Sequence, residues 1–324
     1  MKKLFALIFI FILVINLTTC EKKTDAPEEN QKTILLGFVQ VGDESDWRTA
    51  NSYSIKSAAA EAGIQLMFLD AQQKPENQIQ SIRSLIANQV DVIAFSPIVE
   101  SGWDDVLNEA KAAGIPVILT DRTIETNDTS LYVTVIGSDF KEEGIRAGKW
   151  LVEKMKYNKD EINIVELQGT IGSTPAIDRK EGFEEIIKDF PNMKITQSED
   201  ADFMRSKGYE VMQSFLQKDG KNIDVLFSHN DDMAIGAIKA IDEYGLVPGK
   251  DIIIVSIDAI RGAFDEMIKG RLNCTVECNP LLGPQLMMIV KDLVNGKNPP
   301  KRIYSVEYIF PQEIAAKELP NRKY

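Results

Sequence analysis

The sequence contains few of the side chains that enzymes and metalloproteins use for chemistry. Its 324 residues include a single histidine, His229, and three cysteines. The Gly-x-Ser-x-Gly elbow that carries the nucleophile of many hydrolases is absent. A zinc site needs several closely spaced His and Cys residues, and the sequence has no such set. We therefore expect no catalytic residues, no metal site and no cofactor.

Positive charge is also scarce. The chain has 37 Lys and Arg residues against 49 Asp and Glu, which gives a net charge of −12. Nucleic-acid binding needs a basic face that replaces the counterions of the phosphates. This charge balance excludes nucleic acid as an expected partner, and it is silent about other partners.

A long apolar run occurs at the N-terminus. Lys2 and Lys3 precede an unbroken apolar stretch over residues 4–15, which is short for a bilayer span and typical of a signal peptide. The string Leu17-Thr-Thr-Cys20 follows, and it is similar to the lipobox of bacterial lipoproteins, in which the cysteine is acylated. Thr19 is larger than the usual Gly or Ala, so a cleaved signal with an incidental cysteine stays an alternative. We predict a signal peptide over residues 1–20, lipidation of Cys20, a flexible tether over 21–32 and an extracytoplasmic location.

The other two cysteines do not fit a disulfide. The sequence around Cys274 and Cys278 reads as a strand, in which four residues span about 13 Å. Disulfides require Cα atoms within about 7 Å of each other. We expect two free thiols, with metal binding by the pair as a weaker alternative.

What the sequence does have is a regular alternation of apolar runs and segments with helical periodicity. The chain is too long for one ordinary core, and alternating strands and helices favour an α/β fold with parallel sheets in two similar lobes. The predicted strands cover residues 34–39, 64–69, 91–95, 116–120, 162–167, 195–198, 225–228, 252–257 and 272–276.

Three passages carry the chain between the two predicted lobes. The first lies near residues 133–136, the second near 278 and the third at 305–309. We expect an N-terminal lobe of residues 33–136 plus 279–305, and a C-terminal lobe of residues 137–278 plus 306–324. Two lobes on a hinge of three segments form a cleft that can close.

Polar and aromatic side chains collect where the predicted strands end. Ligands of open parallel sheets bind outside the carboxyl ends of the strands. Carboxylates and guanidinium groups pair with vicinal hydroxyls, and rings cover the C–H face of a sugar, so this set favours a small polyol ring. Alone, each residue could equally cap a helix, pack in a core or lie on a solvated face. The set at the strand ends comprises Trp47, Arg48, Asp121, Arg122, Arg179, Phe203, Asn230, Asp258 and Glu277.

Several longer strings resemble one known family. They include Gly37-Phe-Val-Gln-Val-Gly42, Trp47-Arg-Thr-Ala50, Val165-Glu-Leu-Gln-Gly-Thr170 and Asn230-Asp-Asp-Met-Ala-Ile-Gly236. From about residue 33 to the end, the chain resembles the periplasmic sugar-binding proteins of ribose-binding type, which supply ABC importers. The resemblance implies two Rossmann-like lobes joined by three crossover strands, the type I periplasmic binding protein fold, with one monosaccharide between the lobes. It also implies ABC permease subunits as partners, a membrane contact through the anchor alone, and a monomer.

The resemblance assigns the sugar contacts by motif. Ribose binders have two phenylalanines in the first loop and a glutamine near 277–278, whereas this chain has Arg48 and Glu277 there. These departures argue against ribose and favour the galactofuranose-binding subgroup of the family. The ligand-binding residues implied are Ser45, Trp47, Arg48, Asp121, Arg122, Arg179, Phe203, Asn230, Asp258 and Glu277.

Three other functions stay open as alternatives. A sugar-converting enzyme would be distinguished by hydrolysis of an added sugar or glycoside. A repressor with a related core would need a basic helix-turn-helix at the N-terminus, where this chain has a signal segment. A receptor that presents its ligand to a chemotaxis or sensor protein, without transport, has no distinguishing mark in the sequence.

Overall fold

A computed structural model describes residues 33–158 and 160–324. The predicted signal peptide, tether and lipidated Cys20 lie outside these residues. Within them, no helix is long and apolar enough to cross a membrane.

The described chain alternates strands and helices, as the sequence predicts. The strands are β1 (Leu35–Gln40), β2 (Gln65–Asp70), β3 (Val92–Phe95), β4 (Val117–Thr120), β5 (Thr134–Gly137), β6 (Ile162–Gln168), β7 (Met193–Asp200), β8 (Val225–Ser228), β9 (Ile253–Asp258), β10 (Cys274–Glu277), β11 (Arg302–Tyr304) and β12 (Ile309–Pro311). The helices are α1 (Asp46–Ala62), α2 (Pro75–Ala87), α3 (Asp104–Ala112), α4 (Phe140–Met155), α5 (Thr174–Ile187), α6 (Arg205–Asp219), α7 (Asp231–Tyr244), α8 (Arg261–Ile268), α9 (Gly283–Val294) and α10 (Ala315–Glu318).

The strands form two six-stranded sheets, one in each lobe. The first sheet has the order β11-β5-β4-β3-β1-β2, and all its neighbouring strands are parallel. The fully buried strands β3 and β4 read Val-Ile-Ala-Phe and Val-Ile-Leu-Thr, because helices cover both faces of a parallel sheet. In the register, Phe38 of β1 lies beside Phe68 of β2 and Ala94 of β3.

The second sheet has the order β12-β10-β9-β8-β6-β7. Its edge strand β12 runs antiparallel to β10, whereas the other pairs are parallel. Strands β11 and β12 are three residues long, too short for the pattern of apolar residues to reveal them. The two-sheet α/β fold expected from the sequence is confirmed, with this antiparallel edge as an addition.

Three short connections join the lobes, at residues 138–139, 278–282 and 305–308. Glu307 in the third connection accepts hydrogen bonds from the Ser138 hydroxyl of the first and, at 3.0 Å, from the Asn279 N–H of the second. Burial, reinforced by the nearby Glu143 carboxylate, raises the pKa of Glu307 to about 8. The exact lobe boundaries given above stay predictions.

Candidate functional site

A cavity lies between the lobes, beyond the carboxyl ends of strands from both sheets. It encloses about 280 Å³ of space, counted to its open mouth. Its lining residues are Glu44, Ser45, Trp47, Arg48, Asp121, Arg122, Pro175, Arg179, Phe203, Asn230, Asp258 and Cys278.

Nine of the ten ligand-binding residues predicted from the sequence line this cavity, and Glu277 does not. The Glu277 carboxylate accepts from the Arg322 guanidinium at 2.7 Å and from the Tyr324 hydroxyl at 2.8 Å. Successive residues of an extended chain point to opposite sides. It is therefore Cys278, the next residue, that reaches the cavity, and the expectation for Glu277 is corrected.

Sequence reasoning also missed three lining residues: Glu44, Pro175 and Cys278. Glu44 gave no clear signal, since it stands in the polar loop before α1 and its cap Ser45. Pro175 lies in the first turn of α5, where proline is well tolerated. Burial raises the pKa of the Cys278 thiol, which keeps it protonated.

Arg48 is the central cation of the first lobe. The Ser45 hydroxyl caps α1 by accepting a hydrogen bond from the Arg48 N–H at 3.1 Å. The first turn, which carries the Arg48 side chain, is therefore held in place. Its guanidinium lies 2.8 Å from an Asp121 oxygen and 3.0 Å from a Glu44 oxygen, and it donates to Gln40 at 3.2 Å. Burial alone would lower the pKa of Arg48, but the two carboxylates outweigh it and raise the pKa above its ordinary value.

Arg122 is less well satisfied. Its Nη1 donates to the carbonyl of Ile98 at 3.0 Å, while its buried Nε has no hydrogen-bond partner. Burial, followed by repulsion from Arg48, lowers the pKa of Arg122 to about 10. One buried oxygen of Glu44, Oε2, also lacks a partner. Since unpaired buried polar atoms are costly, a free donor and a free acceptor in residues of one cavity indicate a ligand that supplies both.

Arg179 is the corresponding cation of the second lobe. It donates to Glu143 at 2.8 Å and to the carbonyl of His229 at 2.6 Å, and it lies 3.7 Å from Asp258. Burial opposes the charge of Arg179, but the neighbouring carboxylates raise its pKa. Burial raises the pKa of the Asp258 carboxyl. Helices α4 and α5, which carry Glu143 and Arg179, pack closely against each other at Gly144. A Cβ at this glycine would lie 2.1 Å from the Arg179 carbonyl oxygen, so a larger residue would push the helices apart.

Two rings line the cavity. The Trp47 indole N–H donates to the carbonyl of Cys278 at 2.7 Å, and the Arg48 guanidinium lies 4.7 Å from the Trp47 ring centroid. Asn230 holds Phe203, since its side-chain amide donates to the Phe203 carbonyl at 3.1 Å. The Asn230 oxygen also caps α7 by accepting from Met233 N–H at 2.9 Å. Hydrogen bonds thus hold the Trp47 ring and the Phe203 backbone in place, and arginines of the cavity lie over both rings.

Three of the lining residues have unusual backbone angles. Asp121, Phe203 and Asp258 have φ values of 63°, 62° and 123°, in a region that side chains other than glycine rarely adopt. Such strain of about 1–3 kcal/mol each is found mainly at functional sites, where the surrounding structure enforces it.

A group that could be taken for a metal site lies beside the cavity. The ligand atoms of Glu143, Cys278 and Glu307 lie within 4.8 Å of one another. Glu143 already accepts a hydrogen bond from Arg179. Burial raises the pKa of all three groups, so they tend to keep their protons, and a protonated group is a poor metal ligand. We assign no metal or cofactor to these residues.

The chain is similar to several known sugar-binding proteins. The galactofuranose-binding protein of Escherichia coli (strain K12) is 46% identical over 90% of this chain and 92% of its own length. A structure from Mycobacterium smegmatis in complex with β-D-fucofuranose is 52% identical, with a TM-score of 0.88 over 90% of this chain and 96% of that one. A component of the arabinose ABC transporter of Shewanella sp. ANA-3, bound to α- and β-L-arabinofuranose, is 48% identical, with a TM-score of 0.86 over 89% and 95%.

The match is also clear at the level of the family. Residues 36–298 fit the family described as periplasmic binding protein domain, which is most of the chain and includes strands of both sheets. With its two α/β lobes, three connections and an interlobe cavity, the chain belongs to the periplasmic binding protein family and has the type I fold.

Proposed function

We propose that this protein captures a monosaccharide, galactofuranose or a similar furanose, in the interlobe cavity and delivers it to the permease subunits of an ABC importer. The supporting observation is the lining of the cavity, where arginines, carboxyl groups and two rings from both lobes meet around a small buried space. It acts as a monomer and binds without converting its ligand.

The charges of the cavity favour an uncharged ligand. Its three arginines face the carboxyl groups of Glu44, Asp121 and Asp258, and Arg179 also pairs with the buried Glu143. A sugar phosphate or a sugar acid would add an unmatched negative charge in a buried site, which is costly. A neutral sugar meets both signs, because each hydroxyl can donate to a carboxylate and accept from a guanidinium.

The furanose form of the ligand is inferred from the ligands of similar proteins. Two solved relatives at about half identity hold fucofuranose and arabinofuranose, and a further relative is named for galactofuranose. Trp47 and Phe203 would cover the C–H face of such a ring, while the unpartnered Nε of Arg122 and Oε2 of Glu44 would bond its oxygens.

Titration calorimetry with a panel of sugars tests this function. We expect micromolar or tighter binding of a galactofuranose source and of L-arabinose, since several charge-assisted hydrogen bonds contribute about 1.5–3 kcal/mol each. D-Ribose should bind more weakly, and galactose 6-phosphate and galacturonate should not bind. Recovery of the sugar unchanged separates a binding protein from an enzyme. Failure of every neutral sugar, or preference for a charged one, would refute the proposal.

The anchor is a separate part of the proposal. We propose that Cys20 becomes the acylated N-terminus and that residues 21–32 tether the lobes to a membrane, since two or more acyl chains give stable anchoring. Cells fed a radioactive fatty acid should label the wild-type protein and not the Cys20→Ser variant. Equal absence of label from both would show that the cysteine is incidental.

Delivery to a permease is tested by uptake. Deleting the protein should abolish import of the bound sugar at low concentration. If import is unaffected while a behavioural or transcriptional response to the sugar is lost, the protein is instead a receptor that presents its ligand to a sensor.

A further inference from the structure

The first turn of α1 belongs to the first lobe, yet it is held by the second. The Asp46 N–H donates to Asp232 Oδ2 at 2.8 Å, across the cleft. Arg205 Nη2 donates to Asp46 Oδ2 at 2.8 Å and to Asp232 Oδ1 at 2.5 Å, and Arg205 Nε donates to the same Asp232 oxygen at 3.0 Å. We call these three residues the mouth bridge. None of them lines the cavity.

The mouth bridge completes the start of the helix that carries two predicted sugar contacts. The first N–H groups of a helix have no partners within it. Ser45 satisfies one of them, that of Arg48, and Asp232 satisfies that of Asp46. Asp46 directly precedes Trp47, so the position of Asp46 sets that of the ring. Two of the first N–H groups of this helix, those of Asp46 and Arg48, are therefore hydrogen-bonded when the lobes are together.

The charges of the bridge depend on the arginine. Asp232 is buried, and burial raises the pKa of its carboxyl, while Arg205 counteracts this rise. Asp46 and Asp232 both bond the same nitrogen of Arg205, so the two carboxylates are close neighbours. Without the guanidinium they would repel each other across the cleft.

We propose that Arg205 and Asp232 are positioning residues for sugar binding, which through Asp46 fix the first turn of α1 over the cavity when the lobes close. The inference rests on the proposed function of the cavity, and it extends that function to residues that do not touch the ligand. The affinity for sugar is then set partly at the cleft mouth, whereas the choice of sugar is set in the cavity.

The full chain and three variants test the bridge. Arg205→Gln should raise the Kd about fivefold, mainly by faster dissociation, and by the same factor for each sugar that binds. Asp46→Asn should raise it about twofold. The double variant Arg205→Gln with Asp46→Asn should bind more tightly than Arg205→Gln alone, because the loss of the Asp46 carboxylate removes its repulsion with Asp232. Arg83→Gln is the matched control, since Arg83 is exposed to nearly the same degree as Arg205 and its ion pair with Glu109 lies within the first lobe.

Stopped-flow tryptophan fluorescence gives the dissociation rates, since Trp47 lines the cavity. Melting temperatures without sugar should fall no further for Arg205→Gln than for Arg83→Gln, since each variant loses one ion pair within a lobe, whereas a merely structural role would lower that of Arg205→Gln further. The effect on Kd should also shrink in high salt, which screens the exposed contact between Arg205 and Asp46. If wild type binds sugar and Arg205→Gln dissociates at the same rate, or if the double variant is the weakest, the bridge proposal is wrong. If wild type binds no sugar, the proposed function itself fails.

Discussion

Replacing Arg48 by alanine should weaken sugar binding by roughly a hundredfold or more. The substitution leaves Asp121 and Glu44 without their shared cation in the closed cavity, and breaking a buried pair costs about 3–5 kcal/mol. In an open cleft the two carboxylates are hydrated. Their desolvation falls on the closed, sugar-bound state, so the loss is expected in affinity more than in folding. Calorimetry measures the affinity, and a thermal melt of the sugar-free protein measures the stability.

Two variants frame this result. Arg48→Lys keeps the charge but cannot make the forked contacts to Gln40, Glu44 and Asp121, so it should lie between wild type and alanine. Arg83→Ala removes an exposed ion pair and should leave binding unchanged. A folded Arg48→Ala protein that binds sugar as wild type does would remove the first loop from the site.

Gly169→Ala should weaken binding by roughly ten- to a hundredfold without a large loss of fold. A Cβ at this position would lie 1.8 Å from the Phe203 ring, so the ring must leave its place on the cavity. Forcing an extra methyl group into a packed site costs about 1–3 kcal/mol, and the displaced ring also loses its contact with the sugar. Calorimetry with the sugar that wild type binds best gives the change in affinity.

The double-mutant cycle with Phe203→Ala isolates the cause. Once the ring is removed, the added methyl group has no clash, so Gly169→Ala should cost little in that background. Gly262→Ala serves as a control, since its new Cβ would meet the end of the flexible Ile235 side chain at 3.1 Å. Equal losses in the two backgrounds would show that Gly169 acts through its backbone and not through Phe203.

The position of the cavity could be predicted from the sequence because parallel strands end at a common edge. Asp121 follows β4, and Asp258 ends β9, so the ends of apolar runs located both. The same rule failed at Glu277, where a shift of one residue reverses the side of the strand. Glu44 was missed because an acid in a polar loop reads as a surface charge, and its burial depends on Arg48 and on the opposite lobe.

Other contacts had no sequence signal. The Trp47 indole bonds a carbonyl 231 residues away, and Glu307 meets Ser138 across 169 residues. Such pairs depend on how the two lobes and their connections are assembled, and a single sequence carries no periodicity for them. The aromatic type of residue 47 indicated a site, but the donor role of its nitrogen became visible only with the hinge in place.

The interleaved chain path has a consequence for the order of folding. The first sheet takes β11 from residues 302–304, far along the chain from its other strands, and the Thr134 hydroxyl donates to the carbonyl of Pro300, 166 residues later. The second sheet is likewise incomplete until its edge strand β12 pairs with β10. Contacts at such separation close slowly, since a long loop must be ordered before they form. During synthesis, therefore, the first lobe cannot acquire its last strand before residues 302–304 are made, and the second lobe cannot do so before residues 309–311.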